Sequence, residues 1–543
     1  MKRRFRTSRY RQTPSDPGQN PGLESFELDT PGAGDISASI SENENRIREA
    51  FGNSADLVIR KIKFGAYSDI QVLVVHIDGL VDDQMVIQSI IRPINFFSEW
   101  PPLEDPTPAR VYNQLKDRLI AKDELSEVGR MEDLLKEVCS GNSAILVDGY
   151  NAALIVDVKG WKERNIEPPT TEPTVRGSKE GFVENLRTNT SIIRKNIRSP
   201  RLRVEELTIG AVSRHKVAII YIDGIANNNV VQEIRDRISR ISIDAVQGTG
   251  VLEEYIEDSP YSPFPTVLRT ERPDRAVGSL LEGRVVVLNT QTPFVLIVPC
   301  DIFMFLSAPD DYFERYFIGS FLRLLRIILF VVSLLLPSLY VALVTFHQEM
   351  IPTELAVAIA AQREGIPFPV LVEALILEIA FEMLRETTAR VPLMFGPAVS
   401  ILGVLFLGQA AVQAGLTSPF IVIIVSITGI ASLGVPIFSL GISIRLLRFV
   451  LLILGGTLGL YGITWGIAAL LIHLASLRSY GVPYAQPILP LIPAELKDSI
   501  VRFPWWSLLK RPHLVAGPNT TRQGSDQKPG PPPPPDNGPQ GGS

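Results

Sequence analysis

Residues Val391–Ile444 read VPLMFGPAVSILGVLFLGQAAVQAGLTSPFIVIIVSITGIASLGVPIFSLGISI and contain no Asp, Glu, Lys or Arg. This run is far longer than the ~20 apolar residues that a helix needs to cross a bilayer. The sequence therefore predicts a membrane region and excludes a soluble enzyme. Over all 543 residues, Lys+Arg 53 against Asp+Glu 58 gives a net charge of −5. This balance argues against a nucleic-acid-binding protein, because such proteins carry a basic excess.

Around that run the sequence indicates an all-α, multi-pass membrane domain over residues 316–475. We expect four apolar spans: Ile327–Phe346, Pro397–Gly415, Phe420–Leu440 and Phe449–Leu474. A fifth span at Phe368–Leu384 is the alternative. Arg315, Arg323 and Arg326 precede the first span and a basic segment, 476–515, follows the last. Four spans would therefore leave both ends of the chain in the cytoplasm. The N-terminus also lacks the apolar segment of a secretory signal.

The N-terminal part of the chain contains an internal repeat. Val72–Ile91 resembles Val217–Asp236, since each is an apolar strand that ends in Ile-Asp-Gly and leads into a helix. Gly141–Gly160 and Glu282–Pro299 each have the pattern of a β-hairpin. The repeat predicts two similar α/β subdomains. Their expected bounds are 51–162 and 200–305, with a connecting amphipathic helix at 181–198.

The two ends of the chain differ in composition from the rest, and the sequence carries no common catalytic motif. Residues 1–50 are basic and polar and residues 516–543 are rich in proline, so both are predicted to be disordered tails. Asp78 and Asp223 in the Ile-Asp-Gly turns are interpreted as local caps. The sequence contains no P-loop, HExxH, GxSxG or paired Cys/His spacing. It therefore predicts a protein that is not an enzyme and has no metal site or cofactor.

The segment FPVLVEALILEIAFEMLRE, Phe368–Glu386, places acidic residues among large apolar ones. At 100° per residue one helical face carries four charged side chains, which are Glu378, Glu382, Arg385 and Glu386. Glu373 falls on the opposite, apolar side. One hypothesis is an acidic stripe that lines a cation path in an oligomer, since charges facing lipid would be costly. The alternative is an interfacial helix whose polar face is solvated.

Two glycine patterns in the apolar region predict packing features. The last span contains two GxxxG spacings, formed by Gly455, Gly459, Gly462 and Gly466. We expect them to allow close helix packing and to carry no chemistry. Gly434 and Pro436 predict a packing kink in the third span, with a functional hinge as the alternative.

Several landmarks together make the chain similar to a known family, from about Phe64 to Pro512. The landmarks are TERPD (Thr270–Asp274, hence Glu271, Arg272, Pro273 and Asp274), LLEGRVVVL (Leu280–Leu288), SAPDDYFERYFIGSFLRLLR (Ser307–Arg326), the acidic segment up to Arg390-Val391-Pro392, and GVPYAQPILP (Gly481–Pro490). On these the chain resembles the A subunits of GerA-family spore germination receptors. It departs from the family pattern at Thr387-Thr388, where the family has Ala-Gly, which affects the local end of the helix.

The resemblance implies a receptor subunit in the inner spore membrane, with its N-terminal region on the spore-core side. It implies two partners, a transporter-like B subunit and a lipoprotein C subunit, and self-association into a cation channel that opens in response to nutrient. Three functions remain open from the sequence. They are a gated channel, a secondary transporter, and a membrane-anchored scaffold whose α/β region binds a small molecule.

Overall fold

The computed structural model describes residues 34–64, 70–96, 107–119, 125–160, 168–169, 171–391, 403, 405–524 and 527–530. In these ranges two β-sheets with flanking helices come first and a bundle of helices follows. The predicted division into an α/β region and a helical region is confirmed.

The first sheet has five strands, all antiparallel, in the order β1-β2-β4-β5-β3. The strands are β1 (Leu57–Lys63), β2 (Gln71–Ile77), β3 (Leu125–Val128), β4 (Asn142–Val147) and β5 (Ala153–Asp157). The helices are α1 (Ile40–Phe51), α2 (Asp83–Val86) continued through a π-helical turn (Ile87–Ile91) into α3 (Arg92–Phe96), α4 (Pro108–Leu119) and α5 (Met131–Cys139). Apolar side chains on the two faces of β2 and β4 enter two separate cores, as the alternation along a strand requires.

The second sheet repeats the first, with the order β6-β7-β9-β10-β8. The strands are β6 (Leu202–Ile209), β7 (His215–Ile222), β8 (Leu268–Thr270), β9 (Val285–Asn289) and β10 (Val295–Val298). The helices are α6 (Leu186–Asn196), α7 (Asn228–Ser239), α8 (Gly248–Ile256) and α9 (Pro273–Leu281). Two sheets with the same strand order confirm that the N-terminal region consists of two similar α/β units.

Each unit begins one helix earlier than expected. In α1, the buried Asn43 exchanges two hydrogen bonds with the backbone of Ser37, at 2.6 and 3.0 Å. In α6, Asn189 does the same with the backbone of Val183, at 2.6 and 2.8 Å. The prediction that residues 1–50 are a disordered tail is therefore wrong for α1, whose apolar side enters a core. The predicted connecting helix 181–198 is the first helix of the second unit.

The helical region begins with two short helices and contains two long apolar ones. Its helices are α10 (Ile302–Leu306), α11 (Asp310–Phe313), α12 (Tyr316–Phe346), α13 (Thr353–Arg363), α14 (Val370–Arg390), a π-helical turn (Leu405–Ala410) continued by α15 (Ala411–Gln413), α16 (Pro419–Leu433) and α17 (Phe438–Ser476). Among the described helices, α12 and α17 are long and apolar enough to cross a bilayer by length and composition alone, and α17 is interrupted at Gly459. Membrane association is indicated, while a count of four or five spans is not established.

Helix α17 reverses direction at Gly459, where φ is 64° and ψ is −149°. Residues 15 apart in a straight helix are ~22 Å apart. Here the Leu451 side chain lies 2.5 Å from where a β-carbon on Gly466 would stand, and Ile463 lies 3.2 Å from that of Gly455. A β-carbon on Gly462 would collide with the Leu454 carbonyl oxygen. The two halves of α17 thus form a tight helical hairpin.

The hairpin corrects the expected last span. Phe449–Leu474 is not one crossing helix, because Gly459 adopts a left-handed conformation that other residues rarely take. The four glycines of the two GxxxG spacings are buried in the hairpin, where they allow the two halves to pack closely. The third expected span, Phe420–Leu440, is broken as well, since α16 ends at Leu433 and α17 starts at Phe438. Pro436 cannot donate a helical hydrogen bond there, and the result is a full break between two helices.

The helices run between two ends of the bundle. The near end contacts the α/β region, where His473 at the end of α17 lies 2.9 Å from Ser262. At the far end, Gly459 meets Phe346 and His347 at the end of α12. Helix α14 starts at the far end, where Leu371 packs against Gly456. Of the expected span Pro397–Gly415, residues 397–402 and 404 lie outside the described residues, and the rest includes the π-helical turn and α15.

Buried ion pairs join the first long helix to its surroundings at the near end. Asp311 is fully buried between Arg323 and Arg326 of α12. Arg323, only 1% exposed, also lies 3.3 Å from Asp498 in the C-terminal segment. Burial raises the pKa of the Asp498 carboxyl to about 6. The arginines that were expected to flank the first span therefore fix its start to two other parts of the chain.

The chain after α17 packs against the second α/β unit. A short hairpin of β11 (Arg478–Ser479) and β12 (Val482–Pro483) is followed by α18 (Leu496–Ser499) and a 3-10 turn, Trp505–Ser507. Ala516 forms a β-bridge with Ala226, and the Gly517 amide donates to the Ile225 carbonyl at 2.7 Å. The prediction that the disordered tail begins at residue 516 is therefore wrong, because these backbone groups are paired, and residues 531–543 lie outside the described residues.

Candidate functional site

Helix α14 carries the acidic side chains that the sequence singled out, and the structure separates them. Glu373 and Glu378 are fully buried. Glu382 is partly buried, at 32% exposure, and Glu386 is exposed. Each of the four carboxylates lies within ion-pair distance of an arginine. Charges inside an apolar bundle need such partners, because an isolated buried charge is very costly.

The innermost pair joins α14 to α17. The Nη2 atom of Arg448 lies 2.9 Å from Oε2 of Glu378, and both side chains are at most 1% exposed. Among the described residues, neither the guanidinium nor the carboxylate has a well-aligned hydrogen bond to any other group. The two charged groups are therefore close together but sparsely hydrogen-bonded, and polar atoms of both side chains are buried without a hydrogen-bond partner among the described residues.

One turn closer to the near end, two arginines share one carboxylate. Arg445 of α17 contacts Oε1 of Glu382, and Arg385 lies 3.5 Å from Oε2 of Glu382. Arg385 also donates to the Ser432 hydroxyl at 2.7 Å. Together with the Glu378–Arg448 pair, three arginines face two glutamates. The cluster keeps one formal positive charge that no glutamate within it balances.

The other two acids of α14 lie elsewhere. Oε1 of Glu373 accepts a hydrogen bond from the Ser418 amide at 2.5 Å, at the start of α16, and Arg363 lies 3.6 Å away. Glu386 pairs with Arg390 one turn later, at 2.6 Å, on the outer surface. The expected charged face is thus divided. Glu378, Glu382 and Arg385 point into the subunit, whereas Glu386 points outward and Glu373 sits at the far end.

Sequence reasoning gave no role to Arg445 and Arg448, which lie between the expected third and fourth spans. The signal that could have found them is their spacing. They lie three residues apart, so they share one helical face, and they end the charge-free run that begins at Val391. Two arginines on one face of an apolar helix require acidic partners, and the acidic residues of α14 are the partners they have here.

The TERPD residues have a structural position in the second α/β unit. Pro273 is the first residue of α9, and Asp274 accepts two hydrogen bonds from the buried Arg272. Arg272 also donates to the carbonyls of Glu172 and Ser178. Oε2 of Glu271 accepts from the Thr171 amide at 3.2 Å. The motif therefore fixes the segment that connects the two α/β units. Of the landmark Arg390-Val391-Pro392, the structure describes Arg390, and Pro392 lies outside the described residues.

Comparison with known proteins identifies relatives over most of the chain. The family model for the Bacillus/Clostridium GerA spore germination protein matches residues 45–514. Spore germination protein KA of Bacillus subtilis (strain 168) is 42% identical over 498 residues, which cover 91% of this chain and 90% of that protein. Spore germination protein GerLA of Bacillus cereus is 35% identical over 494 residues, 91% of this chain and 99% of that protein.

A solved structure also matches the N-terminal region. It is the N-terminal domain of the A subunit of the Bacillus megaterium spore germinant receptor GerK3. The identity is 34% and the TM-score is 0.40, and the match covers 49% of this chain and 97% of that chain. The family expected from the sequence landmarks is confirmed by the family model and the relatives. The chain belongs to the GerA family of spore germination proteins, whose germinant-receptor subunits are not enzymes.

Proposed function

We propose that the chain is the A subunit of a nutrient germinant receptor in the inner spore membrane, and that copies of it form a cation channel. Opening of this channel in response to nutrient starts germination. The observation that carries the proposal is the line of acid–arginine pairs along α14, inside an apolar helical bundle. Ionisable residues within membrane helices are rare and usually belong to an ion or substrate path.

The path that we propose follows α14 from the far end to the near end. Glu373 lies at the far end, the Glu378–Arg448 pair follows, and Glu382 with Arg385 lies nearest the α/β region. In the closed state the arginines hold the acidic side chains. Opening requires that arginines of α17 move away from α14, so that the carboxylates are free to attract cations. A nutrient-bound partner would favour this state by binding it more tightly than the closed one.

The arrangement of the ends supports a multi-pass topology with both ends on one side. The start of α12 and the end of α17 are both at the near end, which contacts the α/β region. We propose that this side is the spore core. The chain then crosses the membrane an even number of times. The halves of the α17 hairpin, before and after Gly459, count as two crossings.

Association with other subunits is part of the proposal. One face of α14 leaves a stripe of large apolar side chains exposed in the single chain: Val372, Ile376, Ile379 and Met383. Such a stripe suits contact with lipid or with a neighbouring copy. The partners that we propose are further copies of this chain, a transporter-like B subunit and a lipoprotein C subunit.

The test is ion flux through the purified protein in liposomes, alone and with its partner subunits and nutrient. We expect cation flux in the complete receptor and a reduced flux, or a changed selectivity, in Glu378→Gln and Glu382→Gln. Glu386→Gln is the matched control, because Glu386 is on the same helix but is exposed and paired with Arg390. Its flux should equal that of the unmodified protein.

Two outcomes would refute the proposal. The first is absence of flux from well-inserted receptor with all partners and nutrient present, which would favour a membrane-anchored scaffold. The second is flux that responds equally to Glu386→Gln and to Glu378→Gln. In that case a channel exists but its path does not follow the buried side of α14.

A further inference from the structure

A cavity of about 420 Å³ lies at the near end, between the α/β region and the helical bundle. One wall contains Glu172 of the segment before the second α/β unit, Arg275 of α9 and Asp310 of α11. The other comes from the bundle and contains Arg385, Ser432 and Arg445. Its volume is within the range of small-molecule sites in proteins. The TERPD motif stands beside it, because Arg275 directly follows Asp274.

The wall from the bundle carries an excess positive charge. Arg385 and Arg445 both line the cavity, and both depend on Glu382 as their carboxylate partner. The next acidic residue on the inner side of α14, Glu378, forms an ion pair with Arg448. Among the described residues, one guanidinium charge at this wall therefore has no carboxylate of its own and is available to an anionic group. Guanidinium binds carboxylate and phosphate with good geometry.

The wall that contains Asp310 carries an excess negative charge. Glu172 is balanced by Arg275, whose Nη1 lies 3.5 Å from Oε1 of Glu172. Asp310 is half-buried at the start of α11 and also lines the cavity. Within the part of the chain that the structure describes, no arginine, lysine or histidine lies within ion-pair distance of the Asp310 carboxylate. That carboxylate is therefore available to a cationic group such as an ammonium.

We propose that this cavity binds a small zwitterion, with its anionic group at Arg385 and Arg445 and its ammonium group at Asp310. One positive and one negative charge on the ligand would balance the two walls and leave no net charge at the junction. A free α-amino acid and the phosphoethanolamine headgroup of a membrane lipid share this chemistry. The apolar Phe438, exposed on α17 and also lining the cavity, gives an acyl chain a surface beside the site.

Binding of a zwitterion in this cavity would change the ion pairs of the bundle. The ligand would link the wall that contains Asp310 to the same two arginines that contact Glu382. An anionic group on Arg445 competes with Glu382 for that guanidinium, so occupancy would weaken the Arg445–Glu382 contact. Binding itself does not depend on ion conduction. It is measured on the detergent-solubilised protein.

The test is the thermal unfolding midpoint of the full-length protein with defined probes. The probes are the free L-α-amino acids, glycerophosphoethanolamine, and two single-charge controls, acetate and ethylamine. We expect an amino acid or the headgroup to raise the midpoint, and acetate and ethylamine to have little effect. Asp310→Asn and Arg385→Gln should each weaken binding at least tenfold, about 1.4 kcal/mol. Glu386→Gln, outside the cavity, should bind normally.

The outcomes are distinguishable. A response to amino acids identifies a free ligand, and a response to glycerophosphoethanolamine alone identifies a lipid headgroup. No response to any zwitterion, or full binding by both Asp310→Asn and Arg385→Gln, overturns the proposal. If Arg385→Gln does not fold, Asp310→Asn decides alone, because Asp310 makes no ion pair with any described residue. Ion flux measured on the same preparation tests the channel separately.

Discussion

The two halves of the molecule treat a buried arginine–carboxylate pair differently. In the α/β region, Arg194 donates to Asp56 at 2.7 and 3.0 Å and to the Ser54 hydroxyl at 2.9 Å. In the bundle, Arg448 lies 2.9 Å from Glu378, and within the described residues no well-aligned hydrogen bond supports either partner. The well hydrogen-bonded Arg194–Asp56 pair holds the first and second α/β units together. A sparsely bonded pair has fewer hydrogen bonds to lose when its partners separate.

The largest effect on stability is expected at the well hydrogen-bonded pair in the α/β region. Asp56→Asn should lower the free energy of unfolding by about 3–5 kcal/mol, because it leaves the buried Arg194 without its counter-charge. Thermal and denaturant unfolding of the full chain measures this. The control is Glu132→Gln, which removes an exposed contact to Arg130 at 3.5 Å. That loss should stay below about 1 kcal/mol. Equal effects of the two substitutions would show that the Arg194–Asp56 pair does not hold the two α/β units together.

A smaller loss is expected in the bundle. Arg448→Gln should cost about 2 kcal/mol, since few hydrogen bonds are lost with the guanidinium. Adding Glu378→Gln should restore part of this loss, because the double variant buries no charge at that place. Unfolding in detergent is the measurement. A cost for Arg448→Gln as large as that of Asp56→Asn would show that the two pairs do not differ.

The helical hairpin provides the next test. Gly459→Ala should cost about 1–2 kcal/mol, because a β-carbon is disfavoured at positive φ and this one would meet His347 and Phe346. Gly441→Ala is the control within the same helix, since a β-carbon there meets no described atom within 4 Å. That change should be neutral or stabilise by up to about 1 kcal/mol. A harmless Gly459→Ala would argue against the reversal of α17.

The smallest expected effect is a dependence of stability on pH that arises in the α/β region. Burial lowers the pKa of His76 on β2 from 6.5 to about 4, with Arg60 acting in the same direction. In this window the unfolded chain binds the proton and the folded chain does not. Stability is therefore lost as pH falls from about 6.5 to about 4, by about 1.4 kcal/mol at pH ~5.5. His76→Gln should remove this component of the pH dependence, as followed by unfolding between pH 5 and 8. An unchanged pH profile in the variant would refute the assignment.

Local patterns in the sequence predicted the repeat in the α/β region but not all of its helices and strands. The Ile-Asp-Gly turns and the apolar runs at Val72 and Val217 revealed the repeat, because a buried strand has a strong local signal. Helix α1 and strand β1, LVIRKIK, were missed because their charged residues hide a single apolar face. That face becomes apparent only when the sheet beneath it is known.

The bundle was harder to predict for a physical reason. Hydropathy identifies apolar residues but does not show where an apolar chain turns, so Phe449–Leu474 looked like one span. The acidic residues of α14 were found, since charges in an apolar segment stand out. Their partners were not, because the contact from Glu378 to Arg448 joins two helices far apart in the sequence. Only the packing of α14 against α17 brings them together.

The bridge between Ala516 and Ala226 has a consequence for synthesis on the ribosome. The first α/β unit has all of its described strands and helices once residue 160 has emerged. The second is joined by the Gly517 amide and by Arg511, which donates to the Leu281 carbonyl at 2.7 Å. These contacts form only when nearly the whole chain has been translated, after the apolar helices have been made. Residues 511–517 thus complete a domain whose first strand was made some 300 residues earlier, and a message truncated shortly before codon 511 would yield a protein with an open second unit.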